Sequence, residues 1–296
     1  MHLGAHLGIA DGLDHAVTEA KRIGGDCLQI FAKSPQMWKG PPISDAAAAG
    51  FRTEVERVGL HATAVHHGYL LNLAHPLAER RTQSVTAFID ELGRAEKLGA
   101  DALIFHPGAH LGSGSEEGVA RIAESLNLAF DRTAGYRVRA LLENSAGQGT
   151  TIGSRFEEIA SVLAQVHDSR RVGVTLDTCH LFAAGFDFRG ADGYAAMVDE
   201  LSKTIGTERV HAFHLNDAKA DVGSHLDRHE NIGKGHIGLD GFRHLVNDPR
   251  WTHVPGYLET PLDDNDYARY VEDLATLRSL GARRTPAKRR RASTVK

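Results

Sequence analysis

Nine side chains suited to divalent-metal binding recur along this chain. His66, His106, Glu143, Asp177, His214 and Glu259 each close, or nearly close, a short apolar run. His180 follows Asp177 by three residues, and Asp227 and His229 sit in the long segment after His214. One histidine or glutamate at the end of such a run is more often a loop hydrogen-bonder than a ligand. Six successive runs ending in the same chemistry are not separate accidents, and ionisable groups gathered in one partly buried place need partners. Metal ions are the natural ones. Imidazole and carboxylate without thiolate suit zinc, and also manganese or iron. Nine donors exceed one tetrahedral site and suit two or three ions sharing a bridging carboxylate. An ion lowers the pKa of bound water from about 15.7 to about 7, and ions about 3.5–4 Å apart steady both the attacking and the leaving oxygen of a phosphoester. The donor set therefore points first to phosphoester hydrolysis.

Those runs must converge in space. Eight strands are expected, at His2–Leu7, Cys27–Phe31, His61–His66, Ala102–His106, Arg139–Glu143, Val172–Asp177, Val210–Leu215 and Gly256–Glu259. They read as near-continuous apolar stretches, as strands buried on both faces do. Helical segments fill the gaps at Leu13–Ile23, Ala46–Val58, Ala78–Leu98, Glu116–Thr133, Arg155–Val166, Tyr194–Ile205 and Asp266–Leu280, with Gly99 as a C-cap. Eight β-then-α units fit a closed barrel or a long doubly wound sheet. The shared chemistry of the strand ends favours an α/β fold of the (β/α)8 TIM-barrel type, where all those ends meet on one rim and active sites sit.

The chain has 296 residues, 42% of them hydrophobic, and such barrels use about 250 residues as one domain. A single barrel domain is expected over residues 1–281, followed by a basic, disordered tail at 282–296 with five Arg, two Lys and no acid. The net charge of −4 hides this asymmetry: without the seven tail cations, 27 basic residues face 38 acidic ones, and residues 1–281 sum to −11. An acidic body is compatible with a DNA partner when metal neutralises carboxylates and a local basic face meets phosphates. The tail reads as a DNA-tethering arm ahead of a solvated extension or, in a eukaryotic source, a nuclear localisation signal. Cys27 and Cys179 are too few for a disulfide framework. The opening lacks a signal-peptide pattern, and no apolar run approaches the ~18 residues of a membrane span. A cytoplasmic, nucleoid-associated protein with no membrane partner is expected.

The segments around the candidate ligands resemble the signature segments of the endonuclease IV family. They are FHPG (Phe105–Gly108), LENSAGQG (Leu142–Gly149), LDTCH (Leu176–His180), FHLNDAK (Phe213–Lys219), DRHENIGKGHIG (Asp227–Gly238) and LETP (Leu258–Pro261). GAHLG (Gly4–Gly8) and HHGYLLNLAHP (His66–Pro76) also match, so the resemblance covers residues 1–280 in order. It implies an apurinic/apyrimidinic endonuclease with three zinc ions; the donor chemistry also admits manganese or iron at some positions, and a monomer is expected. His66, His106 and Glu143 are implied on one ion. Glu143 bridges to a second, also held by Asp177, His214 and Glu259, which makes these three carboxylates the catalytic ones. His180, Asp227 and His229 are implied on the third. His66 rather than His67 is the ligand, by alignment to Tyr69-Leu70. The implied partner is duplex DNA with an abasic site. Zinc-activated hydroxide attacks the flipped-out lesion on its 5′ side, leaving a 3′-hydroxyl and a 5′-deoxyribose phosphate.

Tyr69 and Leu70 follow a ligand-bearing strand and are expected to project from the rim. The resemblance implies that they wedge into the base stack, as apolar side chains do when they kink DNA; ordinary loop packing is the plain alternative. The stretch Lys33–Trp38 resembles the family's first DNA-contacting loop, so Lys33 and Gln36 are expected at the DNA, with Gln36 standing where some members carry arginine. Gly233–Gly238 fits the dinucleotide pattern GxGxxG but lies in the wrong context, late in the chain. Backbone N–H groups at Gly233 and Gly235 are expected instead to hold DNA phosphates, with Lys219 and Arg228 as neighbours. Two other functions fit parts of the pattern. A metal-dependent sugar isomerase or epimerase uses the same barrel type, but the extra trio His180, Asp227 and His229 argues against it. A lesion-binding protein without catalysis would have no use for nine intact donors.

Overall fold

The computed structural model describes residues 1–263 and 267–281. The 282–296 tail and the expected helix start at Asp266 lie outside the described residues. In chain order the elements are β1 (His2–Leu7), α1 (Leu13–Arg22), β2 (Cys27–Phe31), α2 (Asp45–Val58), β3 (Ala62–His66), α3 (Ala78–Leu98), β4 (Ala102–Phe105), α4 (Ser115–Arg132), β5 (Arg139–Glu143) and α5 (Phe156–Gln165). There follow β6 (Val172–Asp177), α6 (Thr178–Ala184), α7 (Ala191–Thr204), β7 (Val210–His214), β8 (Asp217–Ala218), β9 (His229–Glu230), α8 (Gly238–Asn247), β10 (Pro255–Leu258) and α9 (Ala268–Leu280). Eight parallel strands close into a barrel in the order β1-β10-β7-β6-β5-β4-β3-β2. The small antiparallel pair β8-β9 rises from the loop between β7 and β10.

Side chains alternate across each strand, and here the two faces meet different cores. Leu3, Leu28, Val65, Leu103, Leu142, Val174 and Phe213 join one large cluster with the helices. Cys27, Ala64, Ala102, Ile104, Leu141, Ala212 and Tyr257 form a separate small cluster, the barrel's own filling. Two residues further along the same strands stand Gln29, His66, His106, Glu143, His214 and Glu259. Period-two geometry thus carries the inward face from apolar filling to polar rim. Four of the expected ligands are the last residues of their strands, whereas His106 and Glu259 lie one residue past β4 and β10.

The helices clamp this geometry from outside. Phe88 of α3 meets Phe105 of β4 edge-on, with ring centroids 5.0 Å apart, and both are fully buried; truncating such an aromatic costs about 3–5 kcal/mol. α2 starts at Ser44, whose side chain accepts the Ala47 N–H, and ends at Gly59 with a φ of 70°, a left-handed conformation that favours glycine. α6, α8 and the β8-β9 pair are not among the elements expected from the sequence. The seven residues of α6 are too short to show a period, and α8 contains two glycines that lower helix propensity.

Candidate metal centre

The rim gathers all nine expected donors. Among the described residues, five overlapping groups have donor atoms within 4.8 Å of one another; three are the expected sets, His66, His106 and Glu143; Glu143, Asp177, His214 and Glu259; and His180, Asp227 and His229, while His66, His214 and Glu259, and Asp177, Cys179 and His229, lie across them. Glu143 is fully buried at the centre. Its Oε2 lies 3.1 Å from His66 Nε2 and 3.5 Å from His106 Nδ1, while its Oε1 lies 2.9 Å from His214 Nδ1 and 3.4 Å from His180 Nδ1. One carboxylate therefore faces two histidine pairs with different oxygens, as a bridge between cations must. Asp177 caps α6, accepting the His180 N–H at 2.9 Å with Oδ1, and this cap brings His180 onto the rim.

Four histidines have one ring nitrogen anchored by an oxygen outside the carboxylate set and the other turned toward carboxylates. His66 Nδ1 meets the His67 carbonyl at 2.8 Å, His180 Nδ1 the Asn144 carbonyl at 2.8 Å, and His229 Nδ1 the Glu259 carbonyl at 3.1 Å. His214 Nε2 meets Gln29 Oε1 at 2.9 Å. Such outer contacts fix the tautomer and present the remaining nitrogen's lone pair. His229 Nε2 is buried and makes no hydrogen bond, although Asp227 Oδ1 is 3.2 Å and Asp177 Oδ2 3.6 Å away. An orphaned imidazole nitrogen between two carboxylates, in a set of nitrogen and oxygen donors, fits a metal ion.

The electrostatics of the ring agree. Burial alone would depress the histidines, but the Glu259 and Glu143 carboxylates push His214 up to about 9, and Asp177 and Asp227 push His229 up to about 9. Burial would raise Glu143, yet His106 and His214 hold it well below the usual carboxylate range. Protons take the place that a divalent cation would fill.

Several supporting residues carry no metal-ligand signature in the sequence. Gln29 is fully buried and donates from Nε2 to Glu259 Oε1 at 2.6 Å, with His6 Nδ1 at 2.8 Å. Its signal was a lone amide in the apolar run CLQIF, on the inward register. Asn216 donates to Asp177 Oδ2 at 2.7 Å and accepts the Glu259 N–H at 2.9 Å, tying two strand ends together. His67 belongs to none of the donor groups; it is buried beside the rings of His66 and His106 with neither ring nitrogen hydrogen-bonded, and burial and these two histidines hold it well below the ordinary imidazole value. Cys179 donates weakly to the Arg228 carbonyl at 3.6 Å and is pushed up by burial, so it offers a thiol rather than a thiolate.

A cavity of about 330 Å³ opens over the ring, walled by Phe31, Tyr69 and Tyr270. Tyr69 is 63% exposed and Leu70 38%. Gln36, Lys219 and Arg228 are also exposed, and neither of the two cations makes an ion pair among the described residues. Three expected DNA contacts need correction. Lys33 is buried in an ion pair with Glu91 and faces no solvent. The Gly233 and Gly235 N–H groups donate instead to Asp217 Oδ2, at 2.9 and 3.1 Å, so the glycine-rich loop wraps an internal carboxylate rather than a phosphate.

Fold and rim together define a class: a (β/α)8 barrel with a histidine–carboxylate centre at its C-terminal mouth. Residues 17–280 match the family described as the xylose isomerase-like TIM barrel. The chain is 45% identical over 277 residues to a Chloroflexus aurantiacus protein named "Probable endonuclease 4", a match covering 94% of this chain and 97% of that one. It superposes on the crystal structure of endonuclease IV from Thermus thermophilus with a TM-score of 0.83 and 35% identity, covering 95% and 98% of the two chains. The chain belongs to the endonuclease IV family. A D-tagatose 3-epimerase-like protein shares the fold at 19% identity and a TM-score of 0.71, covering 95% of this chain and 98% of that one. None of the described helices is long and apolar enough to cross a membrane.

Proposed function

We propose that this protein is a zinc-dependent DNA-repair endonuclease that hydrolyses the phosphodiester 5′ of an abasic site, leaving a 3′-hydroxyl and a 5′-deoxyribose phosphate. The observation that carries this reading is three donor sets, two of them sharing Glu143 and each with its donor atoms within 4.8 Å of one another, on an endonuclease IV barrel. His66, His106 and Glu143 would hold one ion; Glu143, Asp177, His214 and Glu259 a second; His180, Asp227 and His229 a third. Bound there, zinc supplies an acidified water and positive charge for the phosphate.

The remaining work falls to the chain itself. Gln29, Asn144 and Asn216 keep the donors aimed before any ion arrives. The cavity takes the extruded sugar-phosphate between Phe31, Tyr69 and Tyr270. Lys219 and Arg228 meet backbone phosphates, Gln36 offers an amide to the duplex, and Tyr69 and Leu70 enter the stack left by the lesion. A nucleotide without a base costs least to flip, which favours abasic DNA over intact duplex.

Full-length protein should cut a duplex with one tetrahydrofuran abasic analogue on its 5′ side and leave a polymerase-extendable 3′ end. Stripping metal with chelator should abolish cutting, zinc should restore it, and a ketose offered in parallel should not be epimerised. Cutting that survives complete stripping, or ketose epimerisation in place of cutting, contradicts the proposal.

A further inference from the structure

The Lys33–Glu91 pair is unusual because both side chains are only 1% exposed. Burying two charges brings little net stability, and equal-volume apolar residues often do as well. What an apolar pair cannot do is tie loops together by direction. Glu91, on α3, accepts from Lys33 Nζ and, with the same oxygen, from the Gly68 N–H at 3.0 Å. Lys33 is the second residue of the loop after β2, and Gly68 the second of the loop after β3. The two loops also cross directly: the Tyr69 N–H donates to the Pro35 carbonyl at 3.0 Å. A Cβ at position 68 would lie 2.8 Å from that carbonyl oxygen, so only glycine permits the approach. One turn along α3, Arg94 donates to the carbonyls of Pro41 and Gly40 at 2.8 and 2.9 Å, pinning the far end of the first loop. The exposed tips held this way are Gln36-Met37 and Tyr69-Leu70.

We infer that the buried Glu91–Lys33 pair is a positioning device that sets the Gln36-Met37 and Tyr69-Leu70 tips in fixed register, so that they engage DNA as one preformed surface. The DNA part of this inference rests on the function proposed above. Glu91 and Lys33 touch neither substrate nor metal donors; they act through Gly68 and Pro35. A preformed surface spares the cost of ordering loops on binding.

The test is the full-length Lys33→Met/Glu91→Gln protein, which removes both charges at near-constant volume. In the first arm, without DNA, amide exchange in residues 33–41 and at Gly68 and Tyr69 should quicken by about tenfold or more, while the β-strands keep their protection. Unchanged exchange in these loops overturns the inference whatever the protein does to DNA. In the second arm, Tyr69→Ala should lower kcat/KM on abasic duplex in the native background but cause no further loss in the double variant, a coupling of roughly tenfold. Hydrolysis of bis(4-nitrophenyl) phosphate should be the same in both backgrounds. Additive losses, or equal loss on the small phosphodiester, overturn the inference. Should the double variant fail to fold, Glu91→Gln alone, which leaves the Lys33 ammonium without its carboxylate, is read in the same two arms. If native protein cuts no abasic duplex, the functional reading fails, and the exchange arm still decides whether the pair orders the loops.

Discussion

Histidines gather at both ends of this barrel, and among the described residues only one gathering has the makings of a metal centre. At the N-terminal end, His2 stacks on His61 with ring centroids 4.1 Å apart, and His253 lies 6.1 Å from His2. His61 and His253 are exposed, and the carboxylate that bears on His2, Asp26, is already paired with Arg278 at 3.0 Å. Burial and its cationic neighbours lower His2. At the rim, four carboxylates alternate with five histidines, and His214 rises to about 9. Histidine number therefore does not make the site. Interleaved carboxylates do, together with an anchored second nitrogen on each of four rings.

The sharpest way to break that contrast is to remove the shared carboxylate. Glu143→Ala should cost more than about a thousandfold in cleavage of abasic duplex, since it strips two donor groups of their common oxygen pair. Far-UV circular dichroism should show an intact barrel, because Glu143 belongs to the polar layer and not to the apolar filling. Retained activity would show that the rim's carboxylates are ornamental like Asp26 below.

Anchoring is tested next. Gln29→Leu removes the amide behind His214 and Glu259 while leaving all nine donors, and should reduce metal affinity or activity about 10–100-fold, as lost outer contacts do. Native zinc affinity in this variant would mean that the anchoring contacts do not distinguish the two ends.

Tyr69→Ala is expected to weaken binding of abasic duplex by about tenfold while changing binding to intact duplex little, as the loss of one base-stacking aromatic does. An equal loss on both duplexes, seen by fluorescence anisotropy, would place Tyr69 in support of the rim instead of in the distorted DNA. The smallest effect belongs to the lower cluster. His2→Gln/His61→Gln should leave zinc content and cleavage unchanged, and a loss of metal there would erase the contrast altogether.

The barrel and its donor ring were legible because both depend on period and spacing. Strand ends at His66, Glu143 and Asp177 agree with the structure to the residue, and the other strand boundaries to within one. What escaped reading was set by long-range partners. Lys33 looks like a loop cation until Glu91, 58 residues away, buries it. Gly233 and Gly235 look like phosphate ligands until Asp217 takes their amides. Gln29 became meaningful only when His214, 185 residues distant, was seen against it. Spacing along a chain reports which face a residue is on, but not which distant group arrives there first.

The most direct test of the central claim is the metal content of the native protein, purified without chelator and measured by elemental analysis against quantitative amino-acid analysis. The three expected donor sets, two of them sharing Glu143, lead us to expect about three divalent ions per chain, predominantly zinc, falling together with abasic-site cleavage as chelator removes them. One ion or none per chain in fully active protein would contradict the account.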